Sequence, residues 1–215
     1  MGKGYLVVEG HGDGHAALNL VHRLWADLGL PFVQWDPDPI RGKGLHTQAG
    51  VLKACEILRS KRQCDRALLL RDEDDLCPRQ RGPETAAWVK AAHLPFPAAV
   101  VLPYREFEAW FLPCLHLMAG KPFMAPGGME RPGLKEGTTF TGNVESIRGV
   151  KEWLSKHFAE GRAYKPTLDQ LPMTQMLDLS ALRAANVPSF GTLERALRFL
   201  GTAGKGEVYP PPPST

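Results

Sequence analysis

The sequence has no uninterrupted apolar run close to the ~20 residues that a membrane-spanning helix needs. Its start also lacks a basic segment leading into a long apolar one, which is the pattern of a secretory signal. The four cysteines include no C-x-x-C pair, the spacing typical of many zinc and redox sites. We therefore expect a reduced, cytoplasmic protein that does not associate with a membrane.

A strong charge of either sign is also missing. The formal net charge is +3 at pH 7 and the sequence pI is about 8.7, a basic excess that permits nucleic-acid binding without requiring it. With 215 residues, of which 43% are hydrophobic, the chain can bury one ordinary core. These properties predict a single globular unit with an elaborated carboxyl-terminal end.

Short apolar runs alternate with amphipathic stretches over the first half of the chain. The predicted strands are Tyr5 to Glu9, Pro31 to Trp35, Arg66 to Asp72 and Ala98 to Tyr104. The predicted helices between them are His15 to Gly29, Thr47 to Ser60 and Pro83 to His93. Successive strand-then-helix units predict an α/β fold, with a parallel four-stranded sheet flanked by helices.

The second half of the chain differs in character. From Glu106 onward the pattern is mainly helical, apart from a Gly/Pro-rich stretch from Gly120 to Gly142. We predict a catalytic α/β core over residues 1–118, a mainly helical extension packed on it over 119–205, and a disordered Pro-rich tail over 206–215.

Acidic side chains follow three of the predicted strands directly, and one more opens the first helix. Ligands of a parallel α/β sheet bind outside the carboxyl ends of its strands, so these acids are expected at one edge. They are Glu9, Asp13, Asp72, Asp74, Asp75, Glu106 and Glu108. Converging carboxylates repel one another unless a cation lies between them, and Mg²⁺ or Mn²⁺ prefers such oxygen ligands. The pattern predicts a metal site.

Each acid also has a structural interpretation. An acid such as Asp13 or Asp75 after a strand is often only a helix cap. Glu106 and Glu108 equally fit the flanks of an amphipathic helix whose aromatic residues belong to the core. The glycines of "EGHGDGH" do not complete a dinucleotide fingerprint, since its third position falls on His15. The presence of acids at three strand ends together favours a metal site over separate structural roles.

The motif Glu9-Gly10-x-x-Asp13, followed by Asp72-x-Asp74 after a later strand, resembles the Toprim signature. DNA primases, topoisomerases and the overcoming-lysogenisation-defect nucleases share that signature. The resemblance implies that Glu9 acts as general acid/base or metal ligand and that the Asp pair binds Mg²⁺ or Mn²⁺, with Asp13 as a further ligand.

A fuller pattern is similar to an uncharacterised bacterial Toprim-like family found beside ATPase genes. The shared segments are "VEG", "RDEDD", "REFEAWFL" from Arg105 to Leu112, and Tyr164-Lys165. The resemblance implies a nuclease acting on nucleic acid, DNA rather than RNA, activated by an ATPase partner in phage defence, with a homodimer as one assembly. It implies catalytic roles for Glu9, Glu106 and Lys165, and secondary roles for Arg105, Asp75 and Glu108.

Two other classes stay open. A haloacid-dehalogenase-like phosphatase also has Asp-x-Asp after a strand, although the pair then usually follows the first strand and its first aspartate is a nucleophile. A Toprim-like scaffold that only binds an ATPase or nucleic acid is the non-enzymatic alternative. The segment "VKEWLSKHF", from Val150 to Phe158, is a candidate docking or lid element whose apolar stripe equally fits packing on the chain itself.

Overall fold

The computed structural model describes residues 2–10, 13–124 and 128–213, and of Asp13 it describes the backbone. The strands are β1 Lys3–Val8, β2 Gln34–Trp35, β3 Ile40–Arg41, β4 Cys64–Leu70, β5 Ala98–Val101, β6 Phe123–Met124, β7 Glu130–Arg131 and β8 Val208–Tyr209. The α-helices are α1 Asp13–Asp27, α2 Gln48–Ser60, α3 Pro78–Ala91, α4 Leu115–Met118, α5 Val150–His157, α6 Leu171–Gln175, α7 Leu179–Ala184 and α8 Pro188–Thr202. Segments Phe107–Cys114 and Ala159–Gly161 are 3₁₀-helical, and Pro166–Gln170 is a π-helix.

The larger sheet has the strand order β2, β1, β4, β5, β8, and its pairings are parallel. Because β4 pairs with one edge of β1 along its length, β2 and β3 share the opposite edge. The predicted α/β class, with a parallel sheet flanked by helices, is therefore confirmed, but the sheet has six strands in the described residues rather than the predicted four, because β3 and β8 join it as two-residue strands. β6 and β7 form a separate antiparallel pair within the Gly/Pro-rich stretch.

Both faces of the sheet are buried, which explains why its strands are short apolar runs. Leu6 and Val8 of β1 face the cluster that includes residues of α1, α8 and the segment Phe107–Cys114. The alternating residues Tyr5 and Val7 face the cluster that contains the buried sides of α2 and α3. The result is a sheet between two helical layers.

The carboxyl-terminal half packs on the same core as the sheet. Leu154 of α5 and the buried Phe158, Phe190 and Leu200 belong to the same hydrophobic cluster as Leu6 of β1. Helices α1 and α6 are in contact, and so are α8 and β5. The helical extension is therefore built into the sheet's own core. Nothing in this packing tests the predicted boundary at residue 118.

Several elements differ from their predicted bounds. The predicted strand at residues 31–35 contains only Gln34–Trp35 in regular pairing. Helix α3 begins at Pro78, before the predicted start at Pro83. Proline is well tolerated at the first position of a helix, because the N–H group that it lacks would have no hydrogen-bond partner in the helix there. The segment 107–114 after Glu106 is 3₁₀-helical rather than α-helical, and Pro113 lies within it.

The end of the chain adds a strand that the sequence pattern did not predict. Val208 and Tyr209 pair with Ala98 and Ala99 of β5, in a region that we predicted as a disordered tail. A two-residue strand has no recognisable period, so only its packing against β5 reveals it. The last two residues of that predicted tail, 214 and 215, lie outside the described residues.

Within the described ranges, no helix combines the length and apolar character required to cross a membrane.

Gly50, in the first turn of α2, provides a test of how closely this helix approaches the backbone of Gly44. A Cβ atom at this position would lie 2.0 Å from the carbonyl oxygen of Gly44, so Gly50→Ala must displace backbone. We expect a loss of about 1–3 kcal/mol in the free energy of unfolding, measured by urea denaturation. Gly82→Ala in α3 is the matched control, because its Cβ would meet only Pro210 at 3.4 Å, an ordinary contact. Equal stability of the two variants would contradict the close approach of α2 to Gly44.

Candidate functional site

The strand order creates a crevice between the carboxyl ends of β1 and β4. The chain leaves β1 for β2 and β3 on one side and returns to β4 on the other, so the two connections diverge at this point. Such a switch point is where doubly wound sheets bind their ligands. Val8 pairs with Leu70, which places Glu9 and Arg71 as the next residues of adjacent strands, with Asp72 one position further. The predicted gathering of Glu9 and Asp72 at one edge thus has a backbone basis.

The loop after β4 is held by an acid that is not among the predicted site residues. Glu73 is buried and accepts a hydrogen bond from Arg71 Nη2 at 2.8 Å, and the Arg81 guanidinium lies 3.8 Å from it. Glu73 also bridges in parallel to Tyr104, which joins this loop to the segment after β5. Arg71 thus pairs with a neighbouring acid of its own loop. Asp72 and Asp74, on either side of Glu73, therefore belong to a loop that the contacts of Glu73 hold in place.

Lys151 lies among three carboxylates at this edge. Its Nζ is 3.2 Å from Glu106 Oε1, 3.3 Å from Glu108 Oε2 and 3.6 Å from Asp72 Oδ2. Burial lowers the pKa of the Lys151 ammonium, but Glu108, Asp72 and Glu106 together raise that pKa well above its ordinary value. Lys151 therefore stays protonated across the physiological range. No sequence pattern marks Lys151 as a site residue, because it belongs to α5, far along the chain from the strands β4 and β5 whose acids it contacts.

Glu106 connects this cluster to the amino end of α5. Its Oε2 accepts hydrogen bonds from the amides of Val150 at 2.6 Å and Lys151 at 3.3 Å. The helix begins after Gly149, whose φ of 69° is the left-handed conformation and which has no side chain to cap the helix. Glu106 therefore caps α5 from another part of the chain, and its charge lies where the helix dipole favours an anion.

Glu108 is the most deeply buried acid of the cluster, with 0% of its surface exposed. Its Oε1 accepts a hydrogen bond of 2.9 Å from the hydroxyl of Tyr164, and its Oε2 faces Lys151. A carboxylate without water needs such partners, since an unpaired buried charge is very costly. Tyr164 belongs to the Tyr164-Lys165 pair singled out in the sequence, but only the tyrosine reaches this cluster: Lys165 is exposed, and its amide donates to Asp169.

The remaining predicted acids are more exposed. Glu9 Oε1 lies 3.4 Å from His46 Nδ1, and Asp75 forms an exposed ion pair of 3.1 Å with Arg148. Burial raises the pKa of Asp74, Lys151 lowers it, and the nearby carboxylates Glu106, Asp75 and Glu73 raise it again, leaving it above its ordinary value. Partial desolvation is the largest of these contributions to the pKa of Asp74, and the neighbouring carboxylates add to it.

Arg105, a predicted secondary site residue, has mainly a conformational role in this arrangement. Its φ of 71° lies in the left-handed region, its guanidinium stacks 4.4 Å from the centre of the Tyr104 ring, and it donates to the carbonyl of Asp74. The residue therefore links the loops after β4 and β5. It does so through the backbone of Asp74 and leaves that carboxylate facing the solvent side.

Asp13 is the first residue of α1, and the position of its side chain lies outside the described part of the structure. Among the side chains that are described, no three from His, Cys, Asp and Glu group closely enough to surround a metal ion. Mg²⁺ nevertheless needs only one or two carboxylates, because water and substrate phosphates supply its other ligands. Glu9, Asp72 and Asp74 carry carboxylates, the ligand type that such an ion takes.

Removing the Lys151 ammonium tests whether the cluster depends on it. Lys151→Met leaves the buried Glu108 without its counter-charge, so we expect the free energy of unfolding at pH 8 to fall by about 3 kcal/mol. Protonation of Glu108 removes that uncompensated charge, so the deficit should shrink as the pH is lowered toward 5.

The measurement is urea denaturation of both proteins at several pH values. Lys156→Met, an equivalent change at an exposed position of the same helix, is the control and should have little effect at any pH. A deficit in Lys151→Met that does not change with pH would show that lost packing, rather than the unpaired carboxylate, is responsible.

Comparison with known proteins gives one match. Neither the curated proteins nor the solved structures include one that matches this chain significantly. A family model described as "Domain of unknown function (DUF4276)" matches residues 8–198, which run from the last residue of β1 through the acidic edge and α5 to most of α8. Because that match spans most of the 215 residues, the chain belongs to the DUF4276 family.

Proposed function

We propose that the acidic edge is the active site of a metal-dependent nuclease that hydrolyses phosphodiester bonds of nucleic acid, as the Toprim resemblance implies. The observation that supports this proposal most directly is the position of Glu9 and Asp72. They follow two adjacent parallel strands at the switch point of the sheet, where ligands of such folds bind. In this proposal the fold is a Toprim-like arrangement in which β8 is an additional strand.

The cofactor is Mg²⁺ or Mn²⁺, held by Glu9, Asp72 and Asp74 with Asp13 as a further ligand. When bound, such an ion neutralises phosphate charge and makes a water molecule more acidic. Asp72 is prepared for this role, because its Oδ1 accepts a hydrogen bond of 2.8 Å from the amide of Phe107 and its Oδ2 faces Lys151. These two contacts restrict the rotation of its carboxylate before any ligand binds.

Lys151 takes the catalytic role that was predicted for Lys165, and it acts as a fixed positive charge. Its ammonium is held by Glu106 and Glu108 and lies within 3.6 Å of Asp72, whereas the Lys165 side chain is exposed. A protonated lysine beside a ligand of the metal can hold a phosphate oxygen and stabilise the charge that develops on it. Glu106 and Glu108 then act by positioning Lys151, and Glu9 remains the candidate proton-transfer group.

The proposal also includes the partner. A free nuclease is toxic to its own cell, so we propose that the chain is the effector of an ATPase-coupled defence system against phages and has weak activity alone. Helix α5 is a less suitable docking element than its sequence indicates. Val150 and Leu154 of its apolar stripe are buried in the chain's own core, and its amino end binds Glu106.

Metal binding by the isolated chain is the first test. We expect isothermal titration calorimetry to detect Mn²⁺ binding, and saturating Mn²⁺ to raise the melting temperature, since an ion that binds only the folded state stabilises it. The double variant Asp72→Asn with Asp74→Asn should lose most of this binding. Glu136→Gln, which removes an exposed acid of the Gly/Pro-rich stretch, should bind as the unchanged protein does. Unchanged Mn²⁺ affinity in the double variant would place the metal elsewhere.

Cleavage assays separate proton transfer from metal binding. Glu9→Gln keeps the size and hydrogen-bonding ability of the side chain, so we expect nucleic-acid affinity to stay near normal while cleavage falls by ~10²–10⁴-fold. Asp72→Asn should instead show a weakened metal affinity that higher Mn²⁺ concentrations partly restore.

The measurement is a Mn²⁺ titration of DNA and RNA cleavage, performed with and without the product of a neighbouring ATPase gene, together with filter binding. Near-normal cleavage by Glu9→Gln would remove Glu9 from the chemistry. Full activity of the chain alone would remove the ATPase from the proposal.

A further inference from the structure

A cavity of about 650 Å³ lies beside the acidic edge, at the carboxyl end of β5. Its walls come from the amino ends of α3 and α8, from Val100 of β5, from Leu102 and Tyr104 after β5, and from Tyr209 of β8. This volume is within the range of pockets that hold cofactor-sized or nucleotide-sized ligands. Cys77 and Tyr104 belong to the same two loops as Asp74 and Glu106, so the cavity and the acidic edge are neighbours.

One side of the cavity is positively charged. Helices α3 and α8 both direct their amino ends to it, and neither Cys77 nor Val187 caps its helix with a side chain, although at α8 the Glu145 carboxylate accepts from the Ser189 amide. Two arginines, Arg79 of α3 and Arg195 of α8, line the same space. The guanidinium of Arg195 is oriented by donating to the Tyr209 hydroxyl at 3.1 Å and to Thr192 Oγ1 at 2.9 Å. The dipole of α3 and the two guanidinium groups favour a phosphate here.

Another part of the wall combines apolar surface with a buried acid. Val100, Leu102 and Val187 supply aliphatic contacts. Glu145 is only 9% exposed, and its Oε1 accepts a hydrogen bond of 2.8 Å from the amide of Ser189. An ionised carboxylate only accepts hydrogen bonds, so Oε2 of Glu145 can pair with a donor such as the N–H group of a base. The wall thus offers a flat ring system both apolar contacts and a hydrogen-bond acceptor.

We propose that this cavity binds one nucleotide, with the phosphate at Arg79 and Arg195 and the base against the wall that contains Glu145. The nucleotide is either a free mononucleotide or one unit of a nucleic-acid strand. The second source rests on the proposed nuclease function, because a strand seated here would extend toward Asp74 and Glu106. The first source does not depend on it.

Binding is measured on the full chain in EDTA, so that the result does not depend on a metal. The probes are fluorescently labelled adenosine and guanosine monophosphates and a short labelled single-stranded DNA, followed by fluorescence anisotropy. We expect Arg79→Glu combined with Arg195→Glu to weaken binding at least about tenfold, since each charge-assisted hydrogen bond contributes that much or more. Thr192→Trp, which places a large ring in the cavity, should weaken it similarly.

Arg198→Glu is the control for each of the two substitutions, because it makes the same arginine-to-glutamate change at an exposed position of α8 that does not line the cavity. Thermal melts establish that each variant is folded. If a mononucleotide binds, and the cavity variants weaken this binding while Arg198→Glu does not, the result supports a site for a free nucleotide. If only the DNA binds, with the same response to the variants, the result supports a site for a strand.

Failure of both probes to bind, or an equal loss in Arg198→Glu, would overturn the proposal. Asp72→Asn should bind these probes normally in EDTA. Loss of cleavage in that variant therefore tests the proposed nuclease and leaves the cavity's test unaffected.

Discussion

The ion pair between Lys151 and the fully buried carboxylate of Glu108 is the interaction on which the acidic edge depends. Glu108 is 0% exposed and lies in the chain's apolar 3₁₀ segment, so its charge can exist there only with a strong partner. Lys151 supplies that partner, and the Tyr164 hydroxyl satisfies the other oxygen. The same ammonium then reaches Glu106 and Asp72. One cation therefore holds together acids from two strand ends.

This arrangement makes the second half of the chain part of the site. Glu106 accepts from the first amides of α5, and α5 in turn carries Lys151 back to Glu106. The two interactions support each other, since the helix start and the lysine position are determined by the same carboxylate. Fixed polar groups of this kind cost little reorganisation when a charged ligand arrives. Lys151 of α5 provides Asp72 with a neighbouring cation that a purely hydrophobic helix face would not supply.

The loops after β4 and β5 have two functions in this fold. On one side they carry Asp72, Asp74 and Glu106, and on the other they help to form the cavity beside α3 and α8. The bridge between Glu73 and Tyr104 and the buried pair of Glu73 with Arg71 connect the loops to each other. A ligand in the cavity would contact a framework that also positions the acids, so the two sites share their support.

The sequence by itself determined the parallel α/β class and the gathering of Glu9 and Asp72 at one edge. Apolar runs define strands locally, and parallel strands bring their carboxyl ends together whatever lies between them. Thr47 likewise marked the start of α2, since its side chain caps that helix. Only the tertiary structure decided the partners of these acids. Lys151 and Tyr164 are separated from Glu108 by tens of residues, and β8 is too short to have a period. Contacts between distant segments depend on how the helices pack, so no local sequence pattern predicts them.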